Sequence, residues 1–96
     1  MFYFIAEIYM EGEKGREEYE EYIRSVKPIV EKYKGRYLVR TDKITPLTDK
    51  WEPHRVIIIE WDTREQLESC FQSEEYRRIA GKRENSVDSR AIIAKG

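Results

Sequence analysis

Hydrophobic positions alternate from the second residue. In "FYFIAEIYM" (Phe2–Met10), Phe2, Phe4, Ala6, Ile8 and Met10 share one side of an extended chain. Tyr3, Ile5, Glu7 and Tyr9 share the other. Aromatic and β-branched residues at period two predict a strand. "EGEKG" (Glu11–Gly15) mixes glycine with charge and predicts a loop. From Arg16 to about Tyr33 the period lengthens: Tyr19, Tyr22, Ile23, Val26, Ile29, Val30 and Tyr33 recur at spacings of three and four. That is the inner stripe of an amphipathic helix. Glutamates crowd its first turns and lysines its last, as the helix dipole favours. Pro28 removes a ladder bond, so a kink or a division into two helices is expected. Gly35 is the expected C-terminal stop.

"RYLVRTD" (Arg36–Asp42) reads as a second strand, with Leu38 and Arg40 on one face and Tyr37, Val39 and Thr41 on the other. "KITPLTDKWEP" (Lys43–Pro53) has two prolines and no sustained period, so it is a long loop or irregular hairpin. "HRVIIIEW" (His54–Trp61) is the third strand. Thr63 with Gln66 fits a capping box opening a helix with Leu67, Cys70 and Phe71 inward. Ser73 caps a second short helix that turns Tyr76, Ile79 and Ala80 inward. A fourth strand follows, Val87–Ala94.

The order β-α-β-β-α-β, with the second helical region in two pieces, is the α+β ferredoxin-like arrangement. Its antiparallel sheet carries helices on one face only. The opposite face should then be polar in a monomer. Here Val56 and Ile58 point one way and Ile57, Ile59 and Trp61 the other, and the first strand is apolar on both sides. Two apolar faces need two covers. A second copy of the same sheet supplies the missing one, so the expected assembly is a homodimer through the open sheet face.

Composition narrows the picture further. A length of 96 residues bounds the chain to one domain, 1–96. A net charge of −1, with 18 basic and 19 acidic residues interspersed, gives no field for nucleic acid or an anionic membrane. No apolar run approaches the roughly 18 residues of a membrane span, and the N-terminal stretch lacks a basic signal-peptide region. One cysteine excludes an internal disulfide and a cysteine-only metal site. A cytoplasmic protein is expected. Cys70 reads as a packing residue, since reactive thiols need an exposed, electropositive niche.

Three ordered segments resemble the DUF1330 family. "YEEYIRSVKPIVEKYKGRYLVR" is similar to its Y-x-x-Y…P-x-x-x-x-x-G-G-[RK]-[FYL]-L-x-R pattern. "WEPHRVIIIEW" is similar to W-x-P-x-R-x-V-[IV]-[IVL]-E-[FW], and "SEEYRRIAGKR" to S-x-E-Y-x-x-x-x-x-x-R. The resemblance implies a ferredoxin-like domain of the dimeric α/β-barrel superfamily. Two departures stand out: Lys34 replaces the first of two glycines, and "TDKITPLTDKW" lacks a Gly–Gly turn before Trp51. The family name records an unknown function. Superfamily members span cofactor-free monooxygenases, haem proteins, isomerases and regulatory domains, and a shared fold does not choose among them.

Candidate chemistry rests on few residues. Arg40 and Arg55 either brace the sheet, through Glu7 or Glu60, or clamp an anion bidentately. Trp51 either roofs a pocket or anchors its loop. Tyr19 and Tyr22 belong to the helix stripe, so core packing is their default role, but each carries a hydroxyl that needs a partner if buried. Tyr76 and Arg83 match the third family segment and sit where a short helix can present them to a cleft. His54 lies on the strand face opposite Arg55 and is expected to pack at the surface. No metal or cofactor site and no nucleophilic triad can be assembled, so catalytic residues stay unassigned. Two readings follow. One is a homodimer whose Arg- and aromatic-lined pocket takes a small organic acid or an oxygen-rich molecule, with cofactor-independent oxygenase or isomerase chemistry. The other is a non-catalytic interaction or regulatory module.

Overall fold

The computed structural model describes residues 1–10, 12–84 and 87–96. Its elements are β1 (Phe2–Met10), α1 (Gly12–Lys32), β2 (Arg36–Thr41), β3 (Arg55–Trp61), α2 (Arg64–Gln72), α3 (Glu74–Glu84) and β4 (Val87–Lys95). The four strands form one antiparallel sheet in the order β2-β3-β1-β4. The architecture is α+β and ferredoxin-like. All three helices cover one face, and the molecule measures 34 × 29 × 16 Å. Its thinnest dimension fits one sheet and one helix layer, which leaves the second sheet face bare.

The core lies between these layers. From β1 it takes Ala6, Ile8 and Met10, from β3 Ile57, Ile59 and Trp61, and from α1 the stripe Tyr19, Tyr22, Ile23, Val26 and Val30. Leu67, Cys70 and Tyr76 close it from α2 and α3. The alternation expected of β1 and β3 and the stripe of α1 are those observed. Thr63 makes the expected capping box with Gln66, and the Ser73 hydroxyl accepts from the Tyr76 N–H at 3.1 Å.

Several expectations are corrected. α1 begins at Gly12, so residues 12–15, expected in a loop, are helical; Glu11 lies outside the described residues. Pro28 neither divides nor ends α1, because it is exposed and the carbonyl it deprives, on Arg24, faces the outer side of the helix. The residue that leaves the helix in the left-handed region is Lys34, with φ 71°, rather than Gly35. Gly35 is required for another reason. A Cβ there would lie 2.6 Å from Val30 Cγ1 and 2.7 Å from Trp61 Cε2. The missing side chain lets Trp61 and Val30 close over the backbone.

Strand β3 starts at Arg55, although the His54 N–H still donates to the Ile8 carbonyl at 2.8 Å. His54 Nδ1 accepts from the Met10 N–H at 2.9 Å, so the imidazole extends the β1–β3 ladder by one bond. The faces of β2 also differ from the simple alternation. Its register with β3 shifts between Tyr37 and Val39, a β-bulge at Leu38. Tyr37 therefore pairs with Ile59, Val39 with Ile58 and Arg40 with Ile57. The extra residue puts Tyr37 and Arg40 on the helix side, where the guanidinium lies 5.2 Å from the Tyr37 ring centroid. Strand β4 runs one residue further than expected, to Lys95.

Candidate functional site

The end of the sheet where β1 finishes and β3 and β4 begin builds an unusual corner. One row across three strands reads Arg55, Ile8, Ser89. All three face the helices. Above them α1 presents Tyr19 and Tyr22, one turn apart, with ring centroids 5.7 Å apart. α3 presents Tyr76 and Arg83, two turns apart. Two ion pairs hold α3 against α1: Lys82–Glu21 at 2.7 Å and Lys32–Glu75 at 2.6 Å. These pairs are exposed and individually weak. They nonetheless fix the register in which Tyr76 meets Tyr22.

A cavity of about 40 Å³ lies inside this corner, lined chiefly by apolar groups from β1, β3 and α1. The lining residues that carry polar groups are Tyr19, Tyr22, Tyr37, Arg83 and Ser89. The volume is enough for a water molecule or a group of a few heavy atoms. The Tyr22 and Tyr76 hydroxyls are 2.9 Å apart, both on buried side chains. Arg83 Nη1 donates to Ser89 Oγ at 2.5 Å, and the Tyr76 and Tyr22 phenols lie within electrostatic reach of the guanidinium. Tyr19 is fully buried, yet its hydroxyl has no hydrogen-bond partner among the described residues. A hydroxyl left that way costs about 1–3 kcal/mol. Trp61 Nε1 is unpartnered too, but that ring is packed between Gly35 and Phe71 rather than against the cavity.

Burial pushes Tyr19 well above the ordinary tyrosine range, against the opposing pull of Arg55 and Arg83. Burial, reinforced by the Tyr76 hydroxyl, does the same to Tyr22. Both phenols are therefore neutral at any physiological pH and serve as hydrogen-bond donors rather than bases. Among the described residues, no carboxylate or imidazole lines the cavity. The corner can accept an oxygen atom, donate to it from Tyr19, and stabilise negative charge on it through Arg83. No group of three His, Cys, Asp or Glu side chains converges among the described residues.

The residues singled out from the sequence separate into three places. Tyr22 and Arg83 line the cavity, and Tyr76 joins them through its hydroxyl contact with Tyr22. Arg55 lies outside the lining: its guanidinium is 5.6 Å from the Tyr19 ring centroid and donates to Glu20 at 2.8 Å. Arg40 lies elsewhere, in an open groove with Arg24, Lys27 and Glu31 beside β2. Trp51 lies on the opposite face of the sheet, where its indole N–H donates to Glu7. A single clamp built from Arg40 and Arg55 under a Trp51 roof is thus not formed. Nor are the expected bracing partners used. Glu60 pairs with Arg36 at 2.9 Å, and Glu7 holds Trp51.

Ser89 was not recognised from the sequence, and Tyr19, read with Tyr22 as core with a hydroxyl in need of a partner, was not placed among the ligand-binding candidates. Tyr19 satisfies the helical stripe and so reads as core. Ser89 offered a faint signal: it is the one hydroxyl in the inward series Val87, Ser89, Ala91, Ile93.

The bare face of the sheet is built from Ile5, Val39, Val56, Ile58 and Ile92, with Glu7 and Arg90 paired across β1 and β4. Ile92 is 61% exposed. A shallow depression of about 540 Å³ runs beneath Trp51. No helix of the described residues is long and apolar enough to cross a membrane.

Comparison with known proteins agrees with this architecture. A family model described as a domain of unknown function (DUF1330) matches residues 2–96. No protein of curated function matches the chain. Among solved structures, a protein of unknown function from Rhodopseudomonas palustris superposes with a TM-score of 0.81 at 20% identity, over 99% of this chain and 81% of that one. A dimeric ferredoxin-like protein of unknown function from Jannaschia sp. CCS1 gives 0.78 at 10% identity, over 99% and 98%. SnoaB, a cofactor-independent oxygenase from Streptomyces nogalater, gives 0.71 at 12% identity, over 99% and 91%. At these identities the likeness is one of fold.

Proposed function

Since the chain belongs to the DUF1330 family, with the α+β fold common to its structural neighbours, we propose that it is a homodimeric small-molecule-binding protein whose site is the cavity at Tyr19, Tyr22, Tyr76 and Arg83. The observation that carries this reading is the Tyr19 hydroxyl. It is fully buried and neutral and has no partner among the described residues, and Tyr19 is one of the residues around the cavity. Such a donor is normally satisfied, and a ligand oxygen would satisfy it. Arg83 beside it favours an oxygen that carries or develops negative charge. The apolar remainder of the lining would hold a compact hydrocarbon part.

A cofactor-independent oxygenase or isomerase could use this arrangement, with Tyr19 and Arg83 stabilising an enolate-like oxygen. The fold shared with a cofactor-independent oxygenase supports that extension. The lack of a base in the lining favours the second reading, a module that binds its ligand without turnover. Homodimerisation rests on the apolar bare sheet face and on a dimeric structural neighbour. The single buried cysteine fits a cytoplasmic location.

The test is a screen of small oxygen-bearing fragments by ligand-observed NMR, run on the wild type and on Tyr19→Phe. Fragments that bind the wild type and lose most of their affinity in a normally folded Tyr19→Phe support the site. Equal binding to both proteins, or none to either, contradicts it. Light scattering at micromolar concentration should give twice the chain mass, and a monomer mass would refute the dimer.

A further inference from the structure

Beside β2, the open groove of about 610 Å³ is lined by Ile23, Arg24, Lys27, Glu31 and Arg40, with Pro28. It sets three cations against one carboxylate. None of the three forms an ion pair among the described residues. The Arg40 guanidinium rests instead on the Tyr37 ring, 5.2 Å from its centroid. Plain alternation would put Tyr37 and Arg40 on opposite faces of β2, and the bulge at Leu38 gives them the same one. A bulge on an edge strand interrupts the ladder and re-aims a side chain. Here it aims a cation into the groove.

The groove and the cavity share a boundary. Ile23 lines both spaces. Tyr37 lines the cavity and supports Arg40, which lines the groove. The Tyr37 phenol lies within electrostatic reach of both Arg40 and the Tyr19 phenol. Tyr37 is half-buried on the edge strand, so its ring can shift at less cost than that of the fully buried Tyr19. The two spaces differ in what they offer. The cavity, at about 40 Å³, has room for a few heavy atoms and a neutral donor in Tyr19. The groove has room and positive charge.

We propose that the ligand is a short oxo acid whose carbonyl oxygen accepts from Tyr19 in the cavity and whose carboxylate lies against Arg40 in the groove, its chain passing between Ile23 and Tyr37. This rests on the pocket reading above and adds to it a ligand class and a specificity residue. Tyr19 selects for the oxygen and Arg40 for the charge. An acetyl end has three heavy atoms, which suits the cavity. Arg24 and Lys27 attract the acid through the groove's field, a contribution that salt screens.

The experiment is an NMR titration at constant, low ionic strength of the wild type, Arg40→Gln, Arg40→Lys and Tyr19→Phe. The probes are levulinate and its homologue longer by two methylene groups. Methyl propyl and methyl pentyl ketone lack only the charge, and valerate and heptanoate lack only the carbonyl. Circular dichroism checks each fold; Arg40 is exposed, so its replacement leaves the core intact. At least one oxo acid should bind the wild type more tightly than its matching ketone and acid. Arg40→Gln should weaken that oxo acid by about fivefold and leave the ketone unchanged, while Arg40→Lys retains most of the preference. Tyr19→Phe should weaken the oxo acid and the ketone but not the plain acid. Equal affinity of the oxo acids for the wild type and Arg40→Gln overturns the proposal, as does binding that depends on Arg40 but not on Tyr19. If the oxo acids show no preference while the ketones still require the Tyr19 hydroxyl, this proposal fails and the pocket stands. If no probe depends on Tyr19, both fail.

Discussion

Replacing the tyrosines of the buried hydroxyl pair one at a time should give unequal costs. Tyr22 and Tyr76 meet at 2.9 Å, and of the two phenols Tyr76 interacts more strongly with the Arg83 guanidinium. Tyr22→Phe removes one bond but leaves the Tyr76 oxygen facing that charge. Its cost should be the net value of one buried hydrogen bond, about 1 kcal/mol. Tyr76→Phe strands the Tyr22 hydroxyl and takes a favourable oxygen away from Arg83. The stranded hydroxyl adds its desolvation penalty, so the total should approach 2 kcal/mol. The rings are retained in both variants, so the edge-on contacts of Tyr76 with Tyr22 and Phe71 persist. In the double variant no hydroxyl is stranded. Its cost should fall short of the sum of the singles by roughly 0.5–1 kcal/mol. Urea unfolding followed by circular dichroism, at one fixed protein concentration because the chain is proposed to dimerise, measures all four proteins. For a domain of this length 1 kcal/mol corresponds to about 4–8 °C in Tm. A Tyr22→Phe cost larger than that of Tyr76→Phe would refute this reasoning. So would an additive double variant.

Lys34→Gly should stabilise the protein by about 0.5–1 kcal/mol, because Lys34 holds φ 71° and glycine meets that conformation without a Cβ penalty. Gly35→Ala should destabilise it by about 1–3 kcal/mol in the same urea assay, since the new methyl would overlap Val30 and Trp61. Burial pushes Cys70 from 9.0 up to about 12, and burial likewise pushes Tyr37, near Arg40, from 10.0 up to about 12. The native state thus holds these protons more tightly than the unfolded chain. Their contribution to stability is complete below pH 9 and should be lost as pH rises through about 12, seen as a falling urea midpoint. Native Cys70 should correspondingly resist alkylation at pH 8 and react only on unfolding, and rapid labelling of the folded protein would contradict its burial.

How much of this was legible in the sequence follows from the range of each signal. Periodicity reports which face a residue takes, and it placed the α1 stripe and the inward sides of β1 and β3. It fails where one residue is inserted. The bulge at Leu38 leaves no mark in "RYLVRT", yet it turns Arg40 to the helix side, opposite Ile57 and beside the Tyr37 ring. Pairing across distant segments is also invisible to pattern. Arg55 found Glu20 on α1 instead of a carboxylate on a neighbouring strand, since Glu20 stands one residue beyond the tyrosine that Arg55 covers. His54, expected at the surface, is exposed there and adds a ladder bond from the Met10 N–H that spacing does not encode. The family's Tyr22, Tyr76 and Arg83 positions meet at this corner of the fold. What completed it, the unpartnered hydroxyl of Tyr19, is a property of three-dimensional burial that no spacing encodes.

A crystal structure of the protein with its tightest-binding fragment tests the central claim most directly. The pocket reading predicts a ligand oxygen within hydrogen-bond distance of Tyr19 Oη, with Arg83 beside it and the Tyr22–Tyr76 pair intact. Density for the ligand beneath Trp51 on the bare sheet face, or in the groove beside Arg40, with the Tyr19 corner closed and unchanged, would contradict it.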